Sequence, residues 1–146
     1  MVNQKINKAV IGLGSNINPN ENIARAIALL TERLNIVKAS AFQWTKPVGY
    51  VNQDDFKNGS VLVETPLELE TLKRELKAIE KALGRPRQDC RGRKTPAIKS
   101  GPRTIDLDIT VWNNKVVDQD LYKREFLHSA ALELIPNLYI EEESFQ

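Results

Sequence analysis

In the run GPRTIDLDIT, residues 101 to 110, Asp106 and Asp108 alternate with Ile105, Leu107 and Ile109. Side chains two residues apart on a strand point to one face, about 6.6 Å from each other. Aspartate is depleted in strands, and like charges on one face repel. A hard divalent cation removes that cost. Mg2+ prefers oxygen ligands, keeps several waters and completes its shell with substrate phosphates. The pair therefore reads as a platform for a magnesium nucleotide, although two alternating aspartates alone also fit a solvated strand face.

The segment just before the pair sharpens the choice. Residues 85 to 103 hold Arg85, Arg87, Arg91, Arg93, Lys94, Lys99 and Arg103 against the single acid Asp89. The chain as a whole carries only +2, so one loop concentrates the positive charge and the aspartates follow it directly. Such a juxtaposition suits an anion held jointly by arginines and by cations on carboxylates.

Other residues speak less clearly. GLGSN, residues 12 to 16, matches neither a dinucleotide fingerprint nor a P-loop, because Ile17 follows and no Gly-Lys-Ser/Thr comes after it. It reads as a tight turn ending a strand. Glu80 stands beside an apolar helical stripe, near a C-terminus where the macrodipole disfavours an anion; on its own it reads as a surface glutamate. His128, the single histidine, has no evident partner in the sequence, and Cys90, the single cysteine, rules out an internal disulfide framework.

These residues need elements to position them. KAVIGLGSN, residues 8 to 16, begins as a strand and ends in a Gly-Ser-Asn turn, followed by a helix with Asn18 at the N-cap, Pro19 in the first turn and an apolar stripe at Ile23, Ile27, Leu30 and Leu34. IVKASAFQW, residues 36 to 44, reads as a second strand, and GSVLVET, residues 59 to 65, as a third. Thr65, Pro66 and Glu68 spell a capping box for a second helix striped by Leu69, Leu72, Leu76, Ile79 and Leu83, with Gly84 to end it. In the aspartate strand, strict alternation places Val111 with Ile105, Leu107 and Ile109, and Thr104 and Thr110 with the aspartates. After Trp112 come a turn with a short strand, then a short helix stopped by Pro136. The expected class is α+β: a ferredoxin-like β-α-β-β-α-β order with an antiparallel sheet and helices packed on it.

RNA-recognition domains share that order of elements, but their third strand carries aromatics that stack on bases. GSVLVET carries none, so phosphate chemistry ranks above RNA, and no nucleic-acid partner is expected. With 146 residues and 41% hydrophobic content the chain suits a single domain over residues 1 to 146. No apolar run reaches the roughly 20 residues of a membrane span, and the N-terminus lacks a signal-peptide core, so no membrane partner is expected and the cytoplasm is the default location.

Several stretches together resemble the 6-hydroxymethyl-7,8-dihydropterin pyrophosphokinase family of folate synthesis: GLGSNI at 12 to 17, FQWTKPVG with DFKNG after it, IEKALGRPR at 79 to 87 and GPRTIDLDI at 101 to 109. The resemblance implies a ferredoxin-like fold and transfer of pyrophosphate from ATP to the pterin hydroxymethyl oxygen, releasing AMP. It implies that Asp106 and Asp108 bind two Mg2+ ions bridging the ATP phosphates, and that Arg85, Arg87 and Arg103 hold the triphosphate. Glu80 and Arg124 would serve the nucleotide. Thr45, Val48 and Asn58 would meet the pterin edge, and Phe56 and Phe126 would sandwich its ring. The family pattern has a Pro-His stretch before REF, and VVDQDLYKREF has none. A pterin- or nucleotide-binding homologue without transfer activity is the second expectation, and an RNA- or protein-binding module on the same fold the third.

Overall fold

Val10, Ile11 and Leu13 are 0%, 0% and 2% exposed, although they occupy both faces of one strand. A strand covered on both faces belongs at the centre of a sheet, and there the computed structural model puts β1 (Asn7–Ser15). The structure describes residues 5–46, 54–84 and 104–140. Along the chain α1 (Pro19–Arg33), β2 (Asn35–Ala39), β3 (Gln43–Thr45), β4 (Phe56–Thr65), α2 (Leu69–Ala82), β5 (Asp106–Trp112), β6 (Lys115–Val116), α3 (Asp120–Lys123) and α4 (Glu125–Leu134) follow β1. The sheet runs β2-β4-β1-β5-β6, with β3 also on β4, and each pairing is antiparallel. This is the ferredoxin-like α+β arrangement.

Each face of the sheet has its own core. Ile11, Leu13, Val61, Val63, Leu107 and Ile109 pack against the stripes of α1 and α2, in which Leu30, Leu72, Leu76 and Ile79 are nearly or fully buried. Burying such a side chain contributes roughly 1.5–3 kcal/mol. On the opposite face Val10 and Val111 pack with Leu121, Ala131, Leu134 and Leu138 from α3, α4 and the segment after them. The second core covers only part of its face. Along the same face, toward the C-terminal end of β1, stand Gly12 and Gly14.

Several local expectations change. Val111 pairs with Val10 while Ile109 pairs with Ile11, so Thr110 is an extra residue in the ladder. A bulge of this kind breaks strict alternation and turns Val111 toward the second core, away from Ile109. The second strand divides into β2 and β3 where the backbone N–H of Ala41 leaves the ladder for α4. Ser40 stays on β4, its N–H donating to the Ser60 carbonyl at 2.8 Å and its Oγ accepting the Ser60 N–H at 2.9 Å, but Ala41 N–H donates to the Glu133 carboxylate of α4 at 3.0 Å. Asn18 sits at the N-cap of α1 with φ 41°, yet its side chain makes no capping bond. The capping box of α2 does not form either. Thr65 stays in β4, its Oγ accepts the Leu67 N–H at 3.1 Å, and the helix starts at Leu69. Gly84, at φ 81°, ends that helix in the left-handed conformation expected of it.

Candidate active site

Beside the second core the polar part of this face is laid out by register, with Gly12, Gly14, Asn58 and Ser60 buried in it. Asn58 on β4, Gly14 on β1 and Asp106 on β5 stand in one row across the sheet; Ser60, Gly12 and Asp108 form the next. GLGSN is therefore not a tight turn. Gly12 and Gly14 lie inside β1, spaced by two, and contribute no side chains of their own to this floor. A strand glycine of this kind marks a place where another group comes close to the backbone. At Gly14 that group is Asn58: a Cβ would lie 2.7 Å from its Oδ1 and 4.0 Å from Phe56 Cδ1. At Gly12 a Cβ would meet Leu127 Cδ2 of α4 at 3.2 Å.

The polar edge of the cleft is pre-set. Asn58 is 7% exposed, and its Nδ2 donates to Thr45 Oγ1 at 2.5 Å, which leaves Oδ1 facing the glycine floor. Phe56, half-buried, opens the same strand face and pairs with Thr45 across β3. Phe126 lies in the first turn of α4, one residue before the leucine that stands over Gly12. Arg124 precedes it, and its Nε is 3.8 Å from Asp120 Oδ2.

Asp106 and Asp108 project from the far side of this floor. The Asp108 carboxyl is pushed from 3.8 up to about 6, first by the protein that displaces water around it, then by Asp106, Asp118, Glu80 and Asp120. Its surface still reaches solvent, so the group is recessed rather than sealed. Each of these groups pushes in the same direction, which is the electrostatic state of a carboxylate cluster suited to a cation. Among the described residues no three acidic, histidine or cysteine side chains form a closed metal cage. Two carboxylates that leave other positions to water and phosphate fit Mg2+.

Glu80 is not a surface residue. It is 5% exposed, and its Oε2 accepts the Leu107 N–H at 2.8 Å. That backbone group belongs to the residue between the two aspartates. β6 pairs only with Val111 and Trp112, so Glu80 occupies an outer edge of β5 that has no strand neighbour among the described residues. Beside it runs a groove of about 420 Å³, between Lys73 and Lys77 of α2 on one side and Asp108, Val117 and Asp118 on the other.

The structure thus brings Thr45, Phe56, Asn58, Asp106 and Asp108 to one face, with Phe126 and Arg124 on the neighbouring helices and Glu80 behind the aspartate strand. Val48, Arg85, Arg87, Arg103 and the basic loop lie outside the described residues. Sequence reasoning missed the glycine floor and the burial of Glu80. The spacing of two in Gly-Leu-Gly, inside an otherwise apolar strand, was the available signal for the first. Among the described residues no helix is long and apolar enough to cross a membrane.

A ferredoxin-like domain with an acidic pair at one end of a polar, glycine-floored cleft is the class that fold and site define. The model of the 7,8-dihydro-6-hydroxymethylpterin-pyrophosphokinase family matches residues 10–136 of this chain. Proteins named 2-amino-4-hydroxy-6-hydroxymethyldihydropteridine pyrophosphokinase are similar to it over most of its length. That of Bacillus subtilis is 34% identical over 139 residues, 88% of this chain and 78% of the relative. That of Haemophilus influenzae is 32% identical, covering 90% and 84%, and that of Aquifex aeolicus 33%, covering 88% and 80%. The chain belongs to this pyrophosphokinase family.

Proposed function

We propose that this protein transfers the pyrophosphoryl group of ATP to the hydroxymethyl oxygen of 6-hydroxymethyl-7,8-dihydropterin. The observation that carries the proposal is that Asn58, Gly14 and Asp106 stand in one row and Asp108 in the next, so an amide and two carboxylates share one face across the glycines of β1. A flat heterocycle lies on that floor beside Phe56, and its polar rim meets Asn58 Oδ1. Stacking of this type is worth about 0.5–1.5 kcal/mol beyond area burial. The triphosphate extends toward Asp106 and Asp108, and the nucleoside continues into the groove beside Lys73 and Lys77.

In the reaction the hydroxymethyl oxygen forms a bond to the β-phosphorus of ATP, and the bond from that phosphorus to the oxygen bridging to the α-phosphorus breaks. AMP leaves with the bridging oxygen, and the hydroxyl proton is released to solvent. Asp106 and Asp108 would hold two Mg2+ ions. Bound there, these ions would neutralise phosphate charge and make the attacking hydroxyl more acidic. The chain's own residues mainly position: Asn58 and Thr45 orient the pterin, Phe56 and Phe126 confine its ring, and Arg124 lies on the nucleotide side. Arg85, Arg87 and Arg103 enter on their sequence alone, as cations for the triphosphate. Holding acceptor and donor in line supplies most of what phosphoryl transfer needs.

The test is direct. The protein is incubated with ATP, Mg2+ and the hydroxymethyl pterin, and AMP is measured. AMP that forms only in the presence of pterin, in equal amount to pterin pyrophosphate, supports the proposal; AMP formed equally without pterin, or none at all, refutes it.

A further inference from the structure

We propose that Glu80 is a positioning residue for the aspartate platform, acting through the peptide N–H of Leu107. A glutamate only 5% exposed must be held by hydrogen bonds or charges, because a dehydrated carboxylate without them is costly. Here one partner is a main-chain donor, 2.8 Å away. A charge-assisted bond of this kind is shorter and stronger than a neutral one.

Its place in the ladder gives the bond its effect. Asp106 and Asp108 pair with Gly14 and Gly12, so their inner edge is fixed by β1. At those two positions β1 offers no side chain for cross-strand packing. On the outer edge, the strand pairing of β6 begins only at Val111. Between these, the Leu107 N–H is where α2 takes hold of the strand. The grip is rigid at its other end, because Ile79, the neighbour of Glu80, is 1% exposed and packed in the main core. The chain of support therefore runs from the core, through α2 and one carboxylate, to the peptide joining the two aspartate positions.

This inference rests on the metal-platform reading of Asp106 and Asp108, and it differs from a direct nucleotide contact by Glu80. Two variants separate the two roles. Glu80→Ala removes the acceptor. Glu80→Gln retains an acceptor oxygen without the charge. Three quantities are followed in each: exchange of the Leu107 amide hydrogen, binding of Mn2+ as a spectroscopic probe in the presence of a non-hydrolysable ATP analogue, and turnover as a function of Mg2+. In Glu80→Ala the Leu107 amide should lose protection, and metal affinity should fall by about 10–100-fold, as for other residues that orient a metal ligand. Glu80→Gln should restore most of the amide protection and part of the metal affinity.

Unchanged Leu107 exchange and unchanged Mn2+ binding in Glu80→Ala would overturn the proposal. A rise in KM for ATP alone, equal in both variants, would do so too and would assign Glu80 to the nucleotide. If the wild-type protein makes no pterin pyrophosphate, the proposed function fails, yet exchange and Mn2+ binding still decide for or against the role of Glu80.

Discussion

Replacing Asp108 with Asn removes one carboxylate from a crowded acidic site and barely alters side-chain shape. The wild-type carboxyl is raised from 3.8 to about 6, chiefly by dehydration, then by Asp106, Asp118, Glu80 and Asp120. A folded-state pKa above the unfolded value means that the protonated form favours the fold. The contribution is fully present below about pH 3.8 and is lost as the pH rises through about 6. At pH 8 the ionised group is therefore a cost. A rise of this size corresponds to about 3 kcal/mol at face value. Because the Asp108 surface is open to solvent, screening reduces the expected cost to about 1 kcal/mol.

Asp108→Asn should accordingly raise the Tm of the ligand-free protein at pH 8 by about 3 °C, and the difference should shrink to nothing near pH 4. Thermal melts across this pH range, followed by circular dichroism in low salt, measure it. Turnover should move in the opposite direction. Loss of an anionic metal ligand should cost no less than the ~10–100-fold seen for residues that merely orient one. Magnesium with an ATP analogue should stabilise the wild type more than the variant. A variant that melts no higher than wild type at pH 8 would refute the electrostatic account. Wild-type turnover in the same variant would refute the platform.

Three further outcomes are expected. Ser60 is 1% exposed and its Oγ has no hydrogen-bond partner among the described residues, so Ser60→Ala should be neutral or stabilising by up to about 1 kcal/mol in denaturant melts. Phe56→Leu should weaken pterin binding while leaving nucleotide binding nearly intact in titration calorimetry; equal loss of both, with a lower Tm, would make Phe56 a packing residue. Gly59 has its Cβ position occupied by the ring of Phe42, so Gly59→Ala should lower stability by about 1–3 kcal/mol through overpacking.

The major elements were legible because their signals are local. The stripes of α1 and α2 recur at helical spacing, and Leu30, Leu72, Leu76 and Ile79 are buried as that spacing requires. Asp106 and Asp108 could be singled out because charge violates the chemistry of a strand. What stayed hidden depends on partners distant in the chain. The capping motif at Thr65 was overridden by pairing of Thr65 with Asn7. Glu80 looks like a surface residue until β5 arrives, 27 residues later, to offer the Leu107 amide.

Thr110 shows most directly why alternation failed where it did. Without the bulge, the face bearing Asp106 and Asp108 would continue with Thr110 in place of Val111, and Val111 would join Ile109. The extra residue keeps Thr110 buried, with its hydroxyl 3.3 Å from the Val10 carbonyl that accepts from it, and delivers Val111 to the core under α4. One face of a seven-residue strand can then be charged at its start and fully apolar near its end. That change of character is what the cleft requires. α4 needs an apolar seat close enough to bring its first turn over Gly12, and the acidic pair must remain uncovered on the same face. The bulge reconciles the two, and no residue type in IDLDITVW announces it, because it arises from the pairing of β5 with β1 rather than from the strand itself.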